Sequence, residues 1–506
     1  MNACPVMYWL RSWILRLFFL GCIVLDTGCA KEFGRYQIDH VLDSSSLTTT
    51  NHFEHWTPSG DVQGEISNPS ERPLTPPGNA GLKPGKSYDL SELADLGLRS
   101  NPTTRSAWEE ARAMAARLGI SESTWLPILT TKMEGGYWRY PFPGQGGAFS
   151  LEGQLFDPVL RMNFAIFDKT RPAQIDAAMQ QLIASNFSFN RNHQTVLFAI
   201  QQSFYGLIAA KSKVIAAEAT LNQSSRNVEA IKARLSLGLA TEPEYLLAVQ
   251  DQARAGYELQ GARGIVMEKQ AELAEHVGVR PHEPLETVDL ESVELPKDSE
   301  VSADEIIDAA LIDRPDLSAK LAEIRGREAE IRKAEAAFWP VIGLQADGGW
   351  KVWNYHNAGG VGTAATTQSE PVNISSPLVD AFITLDWNIF AGFSTLNSVK
   401  AAEAKRNQAE AELEALRLKT MKEVWKAYAD FKTSNRKRSF AVAMLKAAEK
   451  SYDSALKAYK EGLATVIELL TAEKNLAQAR YTDIDSQSSL LLSAAALAYA
   501  TGTPPQ

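Results

Sequence analysis

The chain repeats one pattern, and this repeat constrains its fold more than any other feature of the sequence. Residues 231–250 and 455–474 read alike, and each contains the step Gly-Leu-Ala-Thr within a stretch of helical pattern. Earlier positions match in the same order: Asn101-Pro102 with Arg314-Pro315, Leu126-Pro127 with Trp339-Pro340, and Phe167 with Phe390. A chain that repeats itself at this distance usually stacks two copies of one supersecondary unit. The sequence therefore predicts one architecture built twice, with roughly 200 residues in each copy.

Charge and cysteine content exclude several classes of protein. The 506 residues carry a formal net charge of -10, and the sequence has no basic run or basic-aromatic stripe. Both observations argue against nucleic acid as a partner. The cysteines Cys4, Cys22 and Cys29 all lie near the N-terminus. We therefore expect neither a disulfide framework nor a thiolate metal site in the body of the protein.

The N-terminal residues have the features of an export signal. Arg11 and Arg16 accompany an apolar stretch at 17–25 that is too short to span a bilayer as a helix. We predict a signal peptide at 1–28, followed by an extended N-terminal segment at 29–87 that lacks periodicity.

The end of the predicted signal peptide resembles a bacterial lipoprotein cleavage site. Gly28 precedes Cys29, so we expect lipidation at Cys29. Cys22 competes for this role, and cleavage of an ordinary signal peptide nearby is the alternative.

Each copy of the repeat begins with a helical pattern and continues with strands. The stretches 89–122 and 302–336 have helical periodicity, and a proline stops each of them shortly afterwards. Residues 382–390 alternate as a half-buried strand does, and 160–166 alternate in the same way in the first copy. In the later strand the apolar set is Ile383, Leu385, Trp387 and Ile389, and the polar set is Thr384, Asp386 and Asn388. The segment from Tyr355 to Pro377 is predicted to be a loop.

Long helices follow the strands in both copies. No proline lies between Pro172 and Pro243 or between Pro377 and Pro504. A helix that fills either stretch up to its Gly-Leu-Ala-Thr step would reach about 100 Å. Glycine allows the left-handed conformation that ends a helix, so the chain is expected to turn there and return as helices 242–279 and 466–500. The second long helix also carries a heptad seam that predicts a coiled coil: Leu445, Ala448, Tyr452, Ala455 and Tyr459.

The opening strands at 129–134 and 342–347 alternate likewise, so four strands are predicted. Aromatic residues cluster near these strands, as in the aromatic girdle of an outer-membrane barrel. They are Trp125, Tyr137, Trp138, Tyr140, Trp350, Trp353 and Tyr355. Four strands cannot close a barrel, and lipid does not tolerate open sheet edges. Three protomers that share one barrel would supply twelve strands. The alternative is a soluble sheet with aromatic residues in its core.

The repeat, the strand pairs and the paired long helices together resemble the TolC-like outer-membrane efflux channels. The resemblance covers residues from about 88 to 502 and rests on specific segments. These are Asn101-Pro102, Trp387-Asn388-Ile389-Phe390 with Gly392, both Gly-Leu-Ala-Thr steps, and Tyr459 to Arg480.

The resemblance implies a mostly α-helical chain with a membrane β-barrel, made of two tandem repeats at 88–290 and 301–502. Each repeat would hold a short helix, a strand pair and a long helical hairpin. It also implies a homotrimer in the outer membrane, whose twelve-stranded barrel continues as an α-helical tunnel through the periplasm. A periplasmic adaptor protein and an inner-membrane pump would be its partners. No catalytic motif, cofactor site or metal site competes with this interpretation, so we expect no enzyme.

Two sets of site residues follow from the resemblance. The tips that dock the adaptor would be Gly238, Leu239, Ala240, Thr241, Gly462, Leu463, Ala464 and Thr465. Glu468 would form an acidic constriction at the periplasmic entrance of the pore, with Thr471 in the place of a second acidic ring. Glu244 is the counterpart of Glu468 in the first repeat and is expected to be peripheral.

Three functions remain open from the sequence. The first is a passive outer-membrane channel of a tripartite efflux system. The second is an outer-membrane conduit of the same fold in a type I protein secretion system. The third, from another class, is a soluble periplasmic coiled-coil scaffold without a pore.

Overall fold

The computed structural model describes residues 85–144, 147–281, 285–296, 302–362 and 372–503. The predicted signal peptide at 1–28, Cys29 and most of the predicted extended segment at 29–87 lie outside these ranges. Within the described ranges, we find no helix that combines the length and the hydropathy needed to cross a bilayer.

The described residues contain six strands and eight α-helices, together with two short 3₁₀ helices. In chain order they are β1 Ser87–Tyr88, α1 Leu90–Ser100, α2 Pro102–Glu122, β2 Ile128–Gly144, β3 Gly147–Phe167, α3 Thr170–Ser236, α4 Glu242–Val277, β4 Glu286–Thr287, α5 Ala303–Asp313, α6 Pro315–Ala336, β5 Val341–Gly362, β6 Val372–Asp386, α7 Ser394–Lys460 and α8 Val466–Thr501.

These elements divide into two compact units. The first holds Arg112–Ile183 and Ala322–Glu410. The second holds, of the described residues, 85–111, Ala184–Leu321 and 411–503. Each unit therefore takes residues from both predicted repeats.

The first unit contains a four-stranded antiparallel sheet in the order β2-β3-β5-β6. Its register confirms the predicted alternation of the strands. Thr130 lies beside Arg161, and Arg161 lies beside Asp347, so the polar positions of three strands share one face. Leu385 lies beside Ile342 on the opposite, apolar face. Directly opposite residues of neighbouring strands point to the same side of a sheet, so these pairs put Arg161 and Asp347 on one face and Leu385 on the other.

The predicted end of β6 is wrong. The strand ends at Asp386, so Trp387, Asn388 and Ile389 lie outside it, although the alternation continues through them. The Trp387 indole N–H donates to the Phe338 carbonyl at 3.1 Å, a contact that holds the chain where it leaves the sheet. Gly392 and Phe393 then have positive φ angles of 57° and 66° and turn the chain toward α7.

The predicted loop from Tyr355 to Pro377 is wrong at both of its ends, and residues 363–371 of it lie outside the described ranges. Strand β5 continues to Gly362, and β6 begins at Val372. Tyr355 pairs with Val372, and Pro377 pairs with Trp350. At 355–362 the Gly and Ala content is a weak local signal, which cross-strand pairing with the neighbouring strand overrides.

Each helix predicted at the start of a repeat is in fact two helices. The first breaks at Asn101 and the second at Arg314, which both have extended backbone and both precede a proline. The proline ring disfavours helical backbone in the residue before it, so the helical periodicity on both sides does not make one helix.

Both breaks are joined to the end of a returning helix. The Asn101 side-chain amide donates to the His276 carbonyl at 2.7 Å near the end of α4. The Arg314 guanidinium donates to the Ala500 carbonyl at 3.3 Å near the end of α8. The two copies therefore share this junction although Asn and Arg are chemically different.

The second unit is built mainly from the helical hairpins. The long helices α3 and α7 have 67 residues each, and the returning helices α4 and α8 have 36 each. The heptad seam of α7 is confirmed as a packing face. Tyr452 and Tyr459 are buried with Ile231, Leu469 and Leu476, and Leu445, Ala448 and Ala455 pack against this cluster.

Candidate functional site

The two hairpin turns have the same backbone geometry. Gly238 and Gly462 have φ angles of 72° and 77°, in the left-handed region that favours glycine. The next amide in each turn bonds back into the long helix at 2.8 Å, from Leu239 to the Arg234 carbonyl and from Leu463 to the Ala458 carbonyl. The repeated Gly-Leu-Ala-Thr step thus encodes one way of ending a helix, as predicted.

Both turns expose an apolar side chain. Leu239 is 63% exposed and Leu463 is 78% exposed. Burying a leucine side chain is favourable, so a partner that covered Leu239 or Leu463 would gain stability from this contact.

A capping box begins each returning helix. The Thr465 amide donates to Glu468 Oε2 at 3.1 Å, and the Glu468 amide donates to Thr465 Oγ1 at 3.3 Å. Thr241 and Glu244 form the same reciprocal pair at the start of α4, with the Thr241 amide 2.7 Å from Glu244 Oε2. Each pair satisfies two backbone amides that a helix start leaves without partners.

Glu468 therefore has a structural role that sequence reasoning missed. The signal was present as Thr-x-x-Glu before an apolar run. Glu468 is also solvent-exposed, as is Thr471 one turn later, whose hydroxyl donates to the Ile467 carbonyl at 2.7 Å. The pore-entrance role of Glu468 and Thr471 stays a prediction.

Arg234 ties the two hairpins together close to their turns. Its guanidinium donates to the carbonyls of Tyr459 and Lys460 at 3.1 and 3.2 Å, and it lies 4.9 Å from the centre of the Tyr459 ring. A cation at the end of α7 satisfies carbonyls that the helix leaves open and opposes its dipole. Sequence reasoning missed this contact, because nothing local links Arg234 to residues more than 200 positions away.

A buried carboxylate lies on α8 between the two hairpins. Glu473 is 2% exposed, and its Oε2 accepts from the Asn227 side-chain amide at 2.6 Å. Burial, followed by repulsion from Asp251, raises the pKa of the Glu473 carboxyl to about 7. Sequence reasoning also missed this residue. Its signal is a glutamate on the apolar stripe of α8, four residues after Leu469 and three before Leu476.

The sheet of the first unit presents two contrasting faces. On the polar face, Arg161 forms two parallel hydrogen bonds with Asp347, at 2.9 and 2.8 Å, across the β3–β5 contact. Lys132 and Glu134 form an ion pair at 2.5 Å on the same face. The apolar face is exposed to an unusual degree, with Ile383 at 76%. Further exposed apolar residues on that face are Leu129, Met133, Tyr137 and Leu385.

No three His, Cys, Asp or Glu side chains in the described ranges come close enough together to hold a metal ion.

Comparison with known proteins identifies the family. The family model described as "Outer membrane efflux protein" matches residues 93–279 and 306–503, which together make up most of the chain. The chain belongs to the outer membrane efflux protein family. It is accordingly a protein of the outer membrane, and the resemblance to TolC-like channels that the sequence indicated is confirmed.

Individual members of the family align over most of their length. Protein CyaE of Bordetella pertussis is 25% identical over 423 residues, which cover 82% of this chain and 84% of that protein. Outer membrane protein OprJ of Pseudomonas aeruginosa is 23% identical over 411 residues, covering 80% of this chain and 82% of OprJ. A crystal structure of CusC superposes with a TM-score of 0.69 at 19% identity and covers 86% of this chain and 98% of that one. The superposition shows that CusC and this chain share the same fold.

Proposed function

We propose that three copies of this chain form a passive outer-membrane channel of a tripartite efflux system. The three sheets would close a twelve-stranded barrel, and the helical hairpins would continue it as a tunnel in the periplasm. A periplasmic adaptor protein would link the channel to an inner-membrane pump. The channel would be no enzyme and would need no cofactor.

The observation that carries this proposal is the form of the sheet. It has four strands, one charged face, one exposed apolar face, and β2 and β6 at its edges. Edge strands leave backbone amides and carbonyls without partners, which lipid does not tolerate. Pairing β6 of one copy with β2 of the next would satisfy both edges and turn the charged face toward water. Membrane barrels have at least eight strands, so one copy is too few.

The hairpins support the periplasmic part of the proposal. Helices of 67 residues would extend about 100 Å, far more than a globular core of this size requires. The exposed leucines at the turns support docking of an adaptor at Gly238, Leu239, Ala240, Thr241, Gly462, Leu463, Ala464 and Thr465. Efflux is further supported by a relative in Escherichia coli named "Cation efflux system protein CusC", which is 24% identical over 368 residues.

The channel is tested with the purified protein in planar lipid bilayers, together with chemical cross-linking in detergent. We expect discrete conductance steps and a cross-linked species of three chains. A monomeric protein that forms no pores would contradict the proposal and favour a scaffold.

The proposed entrance has a matched control within the chain. Glu468→Gln removes one charge per protomer but keeps an acceptor at the capping position, because Gln also completes a capping box. Glu244→Gln makes the same change in the same capping geometry of the first repeat. If Glu468 lines the pore, only Glu468→Gln should lower cation selectivity and weaken block by multivalent cations. The difference should shrink at high salt, where exposed charges are screened.

Equal selectivity of the two variants at low salt would show that Glu468 serves only as a cap.

A further inference from the structure

Glu473 lies where helices of both hairpins meet. It projects from α8, and Asn227 of α3 donates to its Oε2 at 2.6 Å. The Tyr452 hydroxyl of α7 in turn donates to Asn227 Oδ1 at 3.4 Å. Asn227 is 3% exposed and Tyr452 is 7% exposed, so this polar chain is enclosed by packed side chains.

The charges around Glu473 do not neutralise it. Asp251 and Arg254 of α4 face it, but they are ion-paired with each other. Arg480 of α8 also faces it and donates to Gln223 Oε1 at 3.5 Å. Glu473 itself forms no ion pair with any described residue, and its Oε1 has no hydrogen-bond partner among them. An ionised carboxylate in this position would be desolvated and only partly compensated.

The protonated carboxyl fits this surrounding better. A neutral carboxyl keeps the hydrogen bond from Asn227 and avoids most of the cost of burying a charge. Water can reach the side chains of Asp251 and Arg254, because they line an open groove of about 230 Å³ between α4 and α8. Glu473 does not line this groove, so its proton would exchange with water when the helices separate.

We propose that Glu473 is a proton-dependent latch between the two hairpins, which holds α8 against α3 and α7 when it is neutral and loosens this contact when the proton leaves. If the latch regulates opening of the pore, that role rests on the proposed channel function. Its effect on how the helices pack does not depend on that function.

The direction of the effect follows from the two protonation equilibria. Burial and Asp251 raise the pKa of packed Glu473 from 4.5 to about 7, whereas a separated, solvated carboxyl returns to its ordinary value. The separated form therefore loses its proton first as the pH rises. The packed contact is strongest in acid and weakens across the interval between those two pKa values, above which no further change is expected.

The latch is tested by amide hydrogen exchange on the intact protein between pH 5 and pH 7, corrected for the intrinsic pH dependence of exchange. Segments 224–231 and 469–477 should lose protection by on the order of tenfold or more over this range. Glu473→Gln is a neutral replacement of the same shape and should make this protection independent of pH. Glu449→Gln, on the exposed face of α7, should retain the pH dependence of the wild type.

A second variant leaves Glu473 unchanged, so the latch can still be tested if Glu473→Gln does not fold. Asp251→Asn removes a repelling charge and releases Arg254, which lowers the pKa of packed Glu473, so the loss of protection should end at a lower pH and be smaller in total. A latch is wrong if Glu473→Gln keeps the pH dependence of the wild type, or if Asp251→Asn loses as much protection as the wild type between pH 5 and pH 7.

Conductance measurements distinguish failure of the latch proposal from failure of the channel proposal. Open probability should rise with pH in the wild type and stay constant in Glu473→Gln. A protein with the expected exchange behaviour and no conductance would disprove the channel and leave the latch on helix packing intact. Wild-type conductance without pH-dependent protection would overturn the latch alone.

Discussion

Arg314 offers the most direct test of how the second repeat is held together. It is 2% exposed, and its guanidinium meets three partners. Asp316 accepts two hydrogen bonds from it, at 3.0 Å to Oδ1 and 2.6 Å to Oδ2. Glu423 Oε2 accepts one at 2.8 Å, and the Ala500 carbonyl accepts another at 3.3 Å. One side chain therefore joins α6, α7 and α8.

Replacing Arg314 by Ala would leave these acceptors without their donor. Removing one partner of a buried ion pair costs about 3–5 kcal/mol. The lower end applies here, because Glu423 is partly solvated and Arg191 lies 3.9 Å from Asp316 and compensates in part. We expect Arg314→Ala to weaken the local structure by about 3 kcal/mol.

Amide hydrogen exchange measures this change where it occurs. A loss of about 3 kcal/mol corresponds to roughly two orders of magnitude in the local opening equilibrium. Amides at 310–318 and 494–502 should therefore exchange about a hundredfold faster in Arg314→Ala.

The control is Arg99→Ala, which removes an exposed pair with Asp95 at 3.0 Å on α1. Exposed pairs contribute about 1 kcal/mol or less, so its effect should be small. Similar exchange in the two variants would refute the assignment of Arg314 as the junction between the three helices.

Two further predictions concern pH and backbone approach. Burial alone raises the pKa of the Asp316 carboxyl, but the hydrogen bonds and charge of Arg314 outweigh it and bring the pKa below 3.8. Above pH 3.8 ionised Asp316 should therefore stabilise the junction, and this stabilisation should be lost as the pH falls through the pKa of Asp316 in the folded protein. In Asp316→Asn, amide exchange at 310–318 should depend less on pH between pH 5 and pH 3 than in the wild type. In the sheet, a Cβ on Gly349 would lie 2.3 Å from the Pro158 carbonyl oxygen, whereas one on Gly348 meets nothing within 4 Å. Gly349→Ala should lower the thermal unfolding midpoint of the detergent-solubilised protein, and Gly348→Ala should not; equal midpoints would contradict the close approach.

Local patterns in the sequence were sufficient for the long helical hairpins, their turns and the strand faces. The absence of proline and the Gly-Leu-Ala-Thr steps predicted two long hairpins, and the structure has helices of 67 and 36 residues in both copies. Alternation predicted which positions share a face, and the register of Arg161 with Asp347 agrees. These features depend on residues that are neighbours in the chain, whose periodicity is visible in sequence.

Some errors arose although a local signal existed. The breaks at Asn101 and Arg314 stand before prolines, and Thr465 with Glu468 spells a capping box. In each case helical periodicity or family resemblance points away from a rule about one or two residues, and that short rule determines the structure.

Only the tertiary structure decided where the strands end and which side chains meet. Alternation continues past Asp386, yet pairing in the sheet stops there. The contacts of Arg234 with α7 and of Asn227 with Glu473 join residues more than 200 positions apart. Periodicity shows that a residue lies on a buried face, but it carries no information on which residue of another helix will lie opposite. That pairing is fixed by how the hairpins pack, and it decides whether a carboxylate such as Glu473 is solvated or enclosed.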